Sequence, residues 1–193
     1  MLLQKIIPGQ ETIQYLNSCV ELYKAAFKGN WKEAKPTFDR YPDIVRHHIT
    51  EGEDTALHIA AAAKHPNFVK KLLQLMDGSD LIKCINICEQ TALHFAAASG
   101  IVKIAKEMVG KKDKDNLTLI RNNNEMTPLY IAALLGHREM VSYLFGVTPF
   151  KDLSRHERIE LLVATISNDF YGMFHFSIIV SLSQLILIGM NHI

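Results

Sequence analysis

QTALHFAA, residues Gln90–Ala97, is the stretch of sequence that decides the fold. Two related phrases flank it, DTALHIAA at Asp54–Ala61 and MTPLYIAA at Met126–Ala133. Their threonine recurs every 36 residues, at Thr55, Thr91 and Thr127. Self-similarity at a period of about 20 to 50 residues is typical of a solenoid, whose units stack because no single unit buries its own apolar face. The sequence therefore predicts a stacked array of short units.

Each unit is expected to contain an inner and an outer helix. In the second unit, Thr55 is placed to N-cap a helix through Leu57–Ala63, and the turn His65–Asn67 follows because its proline disfavours helix in the preceding residue. Apolar residues then fall at i, i+1, i+4 and i+5, which is one face of an outer helix. The third and fourth units repeat this pattern. Gly100, which is free to adopt positive φ, closes the inner helix of the third unit, and Gly136 with His137 forms the turn of the fourth.

Less regular units stand at both ends of this array. Leu22–Gly29 echoes the phrase without its threonine or histidine, and Glu157–Ser167 resembles one more inner helix. Pro36 falls inside the first outer helix and should kink or shorten it, because proline removes a hydrogen-bond donor. The predicted divisions are a lead-in at 1–17, a degenerate capping repeat at 18–49, repeats at 50–85, 86–121 and 122–150, an incomplete repeat at 151–169 and a hydrophobic tail at 170–193.

The phrase resembles the ankyrin repeat, whose motif is Thr-Pro-Leu-His-x-Ala-Ala followed by Gly-His, over about 22–168. The resemblance implies an all-α ankyrin-repeat solenoid with short β-hairpin-like fingers, followed here by an apolar C-terminal helix. It also implies that His58 and His94 tie adjacent units together by hydrogen bonds. The residues that it assigns to the structural motif are Thr55, His58, Thr91, His94, Gly100, Thr127 and Gly136.

Two departures from the motif affect these expectations. Tyr130 replaces the motif histidine, so the hydrogen bond between units is in question there. Glutamate occupies the usual finger glycine in three units, at Glu53, Glu89 and Glu125. We therefore expect Gly52 and Asn124 to supply positive φ one residue earlier.

The wording LHIAAA, LHFAAASG and LYIAALLG also resembles plant ankyrin proteins with a C-terminal multi-pass membrane region, the PGG-domain family. That family is associated with membranes and with defence or stress signalling. The Pro-Gly-Gly signature is absent from the sequence. The resemblance therefore implies a shortened member whose membrane domain is missing or replaced.

Composition and motifs argue against several classes of function. The 193 residues include 21 basic and 20 acidic ones, for a formal charge of +1, which leaves no electrostatic footprint for nucleic acid. The three cysteines are expected to be ordinary thiols in a reducing compartment. His58 and His94 sit at motif positions, and no Gly-rich phosphate loop, Ser-His-Asp order or paired-carboxylate motif is present. The sequence thus predicts no enzyme, no cofactor and no metal site.

The variable positions of the inner helices are where a partner protein is expected. In an ankyrin stack they would line the concave side, and here they predict a shallow apolar groove for a partner's helix or extended segment. The alternative is that they pack under the fingers or against the tail. Acidic finger residues should add a rim. The predicted partner-binding residues are Ile59, Phe95, Ile131, Leu134, Leu135, Glu89, Asn123 and Glu125.

The tail leaves two interpretations open. Residues 170–193 contain no Asp, Glu, Lys or Arg, and a helix over Met173–Met190 would span about 27 Å, close to the roughly 30 Å of a bilayer's hydrocarbon. This favours a transmembrane helix that keeps the repeats cytosolic. Ser177, Ser181 and Gln184 form a polar stripe, which favours a cap on the last repeat of a soluble adaptor. A third reading is a tail from alternative processing, without a selected role. The function predicted is protein–protein interaction, membrane-associated and in stress or defence signalling by family resemblance.

Overall fold

The computed structural model describes residues 10–110 and 117–168. These residues form pairs of helices joined by turns, and an isolated bridge between Ile85 and Thr91 is the β-structure among them. The predicted all-α solenoid is confirmed for this part of the chain. Its helices are α1 (Gln10–Lys28), α2 (Trp31–Arg40), α3 (Ala56–Ala62), α4 (Pro66–Gln74), α5 (Asp80–Lys83), α6 (Ala92–Ser99), α7 (Val102–Val109), α8 (Pro128–Leu134), α9 (Arg138–Val147) and α10 (Arg155–Ser167).

The inner helices stack on one another in sequence order. α1 packs on α3, α3 on α6, α6 on α8 and α8 on α10, while the outer helices α4, α7 and α9 form a second layer. α3, α6 and α8 have only seven or eight residues, and helices this short are marginal in water, so packing must stabilise them. The alanine pairs of the motif are buried between the helices, at Ala60, Ala61, Ala96, Ala97, Ala132 and Ala133.

Each motif histidine links two neighbouring units. The Thr91 backbone N–H donates to His94 Nδ1 at 3.0 Å, which completes a capping box at the start of α6. Because Nδ1 accepts, the ring proton lies on Nε2, which donates to the Met126 carbonyl of the next unit at 3.2 Å. His58 makes the same pair of bonds, to Thr55 N at 3.1 Å and to the carbonyl of Gln90 at 3.0 Å. Burial lowers the pKa of both imidazoles, that of His94 to about 4, so both are neutral in the folded chain.

A second set of bonds between units lies at the other end of the inner helices. His137 Nε2 donates to the Ala98 carbonyl at 2.9 Å, and the imidazole ring lies directly over Gly100. A Cβ on Gly100, whose φ is +74°, would come within 2.8 Å of His137 Nδ1. His65 donates to Phe27 O and Asn168 to Ala133 O in the same manner, at 2.8 and 3.0 Å.

The fingers are tight turns that end in a left-handed residue. Each is closed by a backbone hydrogen bond, from Glu53 N to Thr50 O, Glu89 N to Asn86 O and Glu125 N to Asn122 O. The three glutamates have φ of 61°, 55° and 58°, as in hairpin loops whose last residue is left-handed. The expectation that Gly52 and Asn124 supply positive φ is therefore wrong, because the turn places this conformation at its fourth residue regardless of side chain.

The first unit also differs from the sequence-based description. Residues 10–17 of the lead-in are helical and continuous with the first inner helix, so α1 runs for 19 residues. Pro36 is expected to kink or shorten the first outer helix, but α2 contains Pro36 and still has 10 residues, as many as α9, so it is not shortened. Pro36 is exposed, and solvent can satisfy the carbonyl that its missing N–H leaves free. The tail of residues 170–193 lies outside the described residues.

Candidate functional site

The inner-helix side of the stack carries an apolar groove of about 260 Å³. It runs between α6 and α8, and its wall is completed by the finger residues that precede them. Its lining residues are Gln90, His94, Phe95, Ala98, Met126, Ile131, Leu134 and Leu135. Four of the predicted partner-binding residues, Phe95, Ile131, Leu134 and Leu135, are thus brought together.

The groove owes its apolar surface chiefly to two leucines at the end of α8. Leu134 and Leu135 are 50% and 52% exposed. Phe95 is half-buried, and its ring packs edge-on against His58 at 5.3 Å between centroids, which holds it in place as a floor for the groove. Large apolar side chains that stay half exposed side by side are the mark of an interaction surface.

Two predicted partner-binding residues contribute little surface. Ile59 is 9% exposed and Ile131 is 7% exposed, so both belong to the hydrophobic core. The adjacent inner helices cover these positions, and the exposed surface lies one turn later, at Leu134 and Leu135. Ile131 therefore forms only part of the groove wall, and Ile59 is not among the residues that line the groove.

All four acidic finger residues are exposed, namely Glu51, Glu53, Glu89 and Glu125. Asn123 is exposed too, but it is engaged within the finger array. Its backbone N–H donates to Cys88 O at 3.0 Å and its side-chain amide donates to Ile87 O at 3.2 Å. Asn123 therefore holds two fingers together, whereas the carboxylates of Glu89 and Glu125 project from them.

An acidic pocket of about 530 Å³ adjoins the groove, between the last finger and α10. Met126 lines both cavities, so they lie next to each other. The other lining residues are Arg121, Asn124, Glu125, Tyr130, Ser154, His156, Glu157 and Glu160. Sequence reasoning missed this pocket, because its two halves are about one repeat apart in the chain.

The single guanidinium of the pocket is already paired. Arg121 donates to both carboxylate oxygens of Glu157, at 2.8 and 2.9 Å, and Glu157 also accepts from the Ser154 backbone N–H at 2.6 Å. Burial raises the pKa of Glu157, but the bonds from Arg121 and Ser154 outweigh burial and bring it below its usual value. Among the residues that line the pocket, Glu125 and Glu160 are therefore left without a cation bound to them, and the pocket is electronegative.

Tyr130, which stands where the motif has histidine, reaches into this pocket. Its hydroxyl donates to Glu160 Oε2 at 3.0 Å, and burial followed by this contact raises the tyrosine pKa. The link between units is thus kept at this position, but it runs to a side chain of α10 instead of a backbone carbonyl.

Sequence reasoning also missed apolar residues on the first and last inner helices. The signal was present in α1, where apolar residues recur at steps of three and four, as in a coiled-coil seam. All of them are exposed, at Ile13, Leu16, Val20, Tyr23 and Phe27. Val163 and Ile166 of α10 are exposed too. In the sequence they follow Ile131 and Leu134 of α8 by 32 residues and so occupy the corresponding positions of the last inner helix.

Neither a metal site nor a membrane-spanning helix is found within 10–110 and 117–168. No group of three or more His, Cys, Asp or Glu side chains in these ranges could hold a metal ion. None of the helices there is long and apolar enough to cross a membrane.

Comparisons with known proteins agree with the repeat architecture. A family model described as ankyrin repeats (3 copies) matches residues 22–117 and 57–154. Among solved structures, a chain of the crystal structure of the yeast ribosomal protein Rps3 in complex with its chaperone Yar1 is similar, with a TM-score of 0.63 and 23% identity. The match covers 72% of this chain and 96% of that chain, and at this identity it shows the fold alone. No curated protein matches the sequence.

Proposed function

This chain belongs to the ankyrin-repeat family, a family of protein–protein interaction modules, and we propose that it captures a partner protein in the apolar groove between α6 and α8. The observation that carries the proposal is the pair of half-exposed leucines, Leu134 and Leu135, beside Phe95. A partner that covers the exposed halves of both leucines gains about 1.5–3 kcal/mol of binding free energy, because the two halves together equal the full burial of one leucine. The similar solved chain comes from a complex of a chaperone with a ribosomal protein, which supports a protein as the partner.

The site residues of this proposal are those whose side chains face the groove. They are Phe95, Leu134 and Leu135, with Ile131 beneath them and the carboxylates of Glu89 and Glu125 on the rim. None of these residues is arranged as a nucleophile with a base, and the repeat fold is typically a scaffold without enzymatic activity.

The test introduces charge into the groove at one half-exposed and one half-buried side chain. We expect Phe95→Glu combined with Leu134→Glu to abolish partner capture in cross-linking pull-downs, because a buried unpaired carboxylate is strongly unfavourable. Leu75→Glu is the matched control, since Leu75 is 46% exposed at the end of α4, on an outer helix. Circular dichroism should show equal helicity in all three proteins. Capture that survives in the double variant would remove the groove from the mechanism.

A membrane-associated role is a second proposal, and the sequence of the tail is its support. Residues 170–193 carry no Asp, Glu, Lys or Arg, and a bilayer-spanning helix needs about 20 mostly apolar residues. We base the proposed role in stress or defence signalling, and the proposed relationship to the PGG-domain family, on the similarity of the repeat sequences. Alkaline carbonate extraction of the expressed chain tests the tail: release into the supernatant rejects insertion. Proximity labelling in the native cell, with and without residues 170–193, tests the pathway.

A further inference from the structure

We propose that the occupant of the groove is a basic amphipathic helix, which lays its apolar face on Leu134 and Leu135 and directs a lysine or arginine into the adjoining acidic pocket. This inference rests on the proposed function above and specifies the partner's chemistry. Three observations carry it: the groove is lined by side chains, the two cavities share Met126, and the second cavity is acidic.

The groove favours a helix because its lining offers mainly side chains and no open strand edge. The residues that line it stand on the helices α6 and α8, or just after them or in the fingers before them, and the fingers are bonded to one another. The fingers pair through Ile87 N to Gly52 O at 3.1 Å and Asn123 N to Cys88 O at 3.0 Å. An extended segment buried here would leave its own N–H and C=O groups unpaired, which is costly. A helix satisfies these groups internally and presents only side chains.

The acidic pocket determines the charge of that helix. It holds the carboxylates of Glu125, Glu157 and Glu160, against the Arg121 guanidinium that already forms two hydrogen bonds with Glu157. A partner carboxylate would meet like charge there, whereas an ammonium or guanidinium group would meet two carboxylates not bound to a cation of the pocket. Met126 lines both cavities, so one helix can contact the leucines and the carboxylates together.

The length of the occupant is set by the stack. Neighbouring packed helices lie about 8–10 Å apart, so the distance from α6 across α8 to α10 is about 20 Å. A helix covers this with about 14 residues at 1.5 Å per residue. The expected partner segment therefore has apolar residues at i, i+3, i+4 and i+7, and a basic residue near one end of this face.

In the experiment, the full protein chain is the target for a library of displayed peptides, and selection is carried out at low salt. The peptides are randomised over about 16 residues, which is long enough for the predicted helix. We expect enrichment of basic, helix-compatible sequences with the apolar spacing given above, and loss of their binding to Leu134→Glu but not to Leu75→Glu. Synthetic copies of the enriched peptides are then measured by fluorescence anisotropy. The variant Glu125→Gln with Glu160→Gln should bind them about three- to tenfold more weakly, as loss of two exposed ion pairs implies.

Controls separate charge from shape. Glu160→Gln keeps an oxygen to accept the Tyr130 hydroxyl, so the link between α8 and α10 survives. Glu33→Gln, on the outer helix α2, changes an exposed carboxylate elsewhere. The difference between the pocket variant and the wild type should vanish at high salt, because exposed charges are screened.

The outcomes distinguish the two proposals. Peptides that depend on Leu134 but are acidic, neutral or rich in proline would overturn the basic helix and leave the groove as a binding site. The absence of any enriched peptide that depends on Leu134 would overturn both. Equal affinity of basic peptides for the wild type and the pocket variant at low salt would overturn the role of the acidic pocket.

Discussion

Acidification from pH 7 to 5 should destabilise the solenoid, because its buried motif histidines bind a proton less readily in the folded chain than in the unfolded chain. Burial lowers the pKa of His94 from 6.5 to about 4, despite the hydrogen bonds that oppose this shift, and burial also lowers the pKa of His58. In the unfolded chain these rings bind protons that the folded chain excludes. The contribution is therefore fully present above about pH 6.5 and is lost as the pH falls towards about 4.

The magnitude for His94 is obtained from its two pKa values. Integrated from pH 7 to 5, the difference in proton binding lowers the free energy of unfolding by about 2 kcal/mol, with a slope near pH 5.5 of about 1.2 kcal/mol per pH unit. This change is a substantial fraction of the roughly 5–15 kcal/mol by which a typical domain is stable.

Urea titrations at about pH 7, 6 and 5 provide the measurement. His94→Gln loses hydrogen bonds and is expected to be less stable at pH 7, but its free energy of unfolding should fall with pH less steeply than that of the wild type, by about 1.2 kcal/mol per pH unit. His48→Gln removes an exposed histidine and is the matched control. Parallel pH profiles of the wild type and His94→Gln would refute the reasoning.

Two further predictions concern the backbone. Gly100→Ala should lower the free energy of unfolding by at least about 1–2 kcal/mol, because an L-residue is disfavoured in the left-handed region and its Cβ would also crowd His137. Gly146→Ala should raise it by about 0.5–1 kcal/mol, because Gly146 lies inside α9 with no crowding atom near its Cβ position. Urea midpoints of the two variants that move in the same direction would contradict this. Glu89→Gly should leave stability unchanged or raise it by up to about 1 kcal/mol, because φ is already 55°, whereas Glu21→Gly within α1 should cost about 1 kcal/mol in thermal unfolding.

The repeat period and the helix pairs could be predicted from the sequence because their determinants are local. Thr91 caps α6 through residues three positions away, and the alanine pairs are small wherever two inner helices meet. The spacing of 36 residues then carries these local rules from unit to unit, so one well-matched phrase predicted the architecture of its neighbours. The same regularity placed the groove on the inner helices.

The composition of the binding surface depended on contacts between units, which no single phrase contains. Ile131 and Leu134 occupy equivalent-looking variable positions, yet the neighbouring helices bury the first and leave the second half exposed. Arg121 and Glu157 are 36 residues apart in the chain and meet only because α10 stacks on α8.

Local patterns alone thus determined that the chain folds as stacked helical hairpins. The tertiary structure decided which side chains face the groove, which glutamates adopt the left-handed conformation and where the acidic pocket lies. Periodicity and capping act within one turn of a helix, whereas burial, charge pairing and the shape of a surface are set by whichever residues the neighbouring repeat brings alongside.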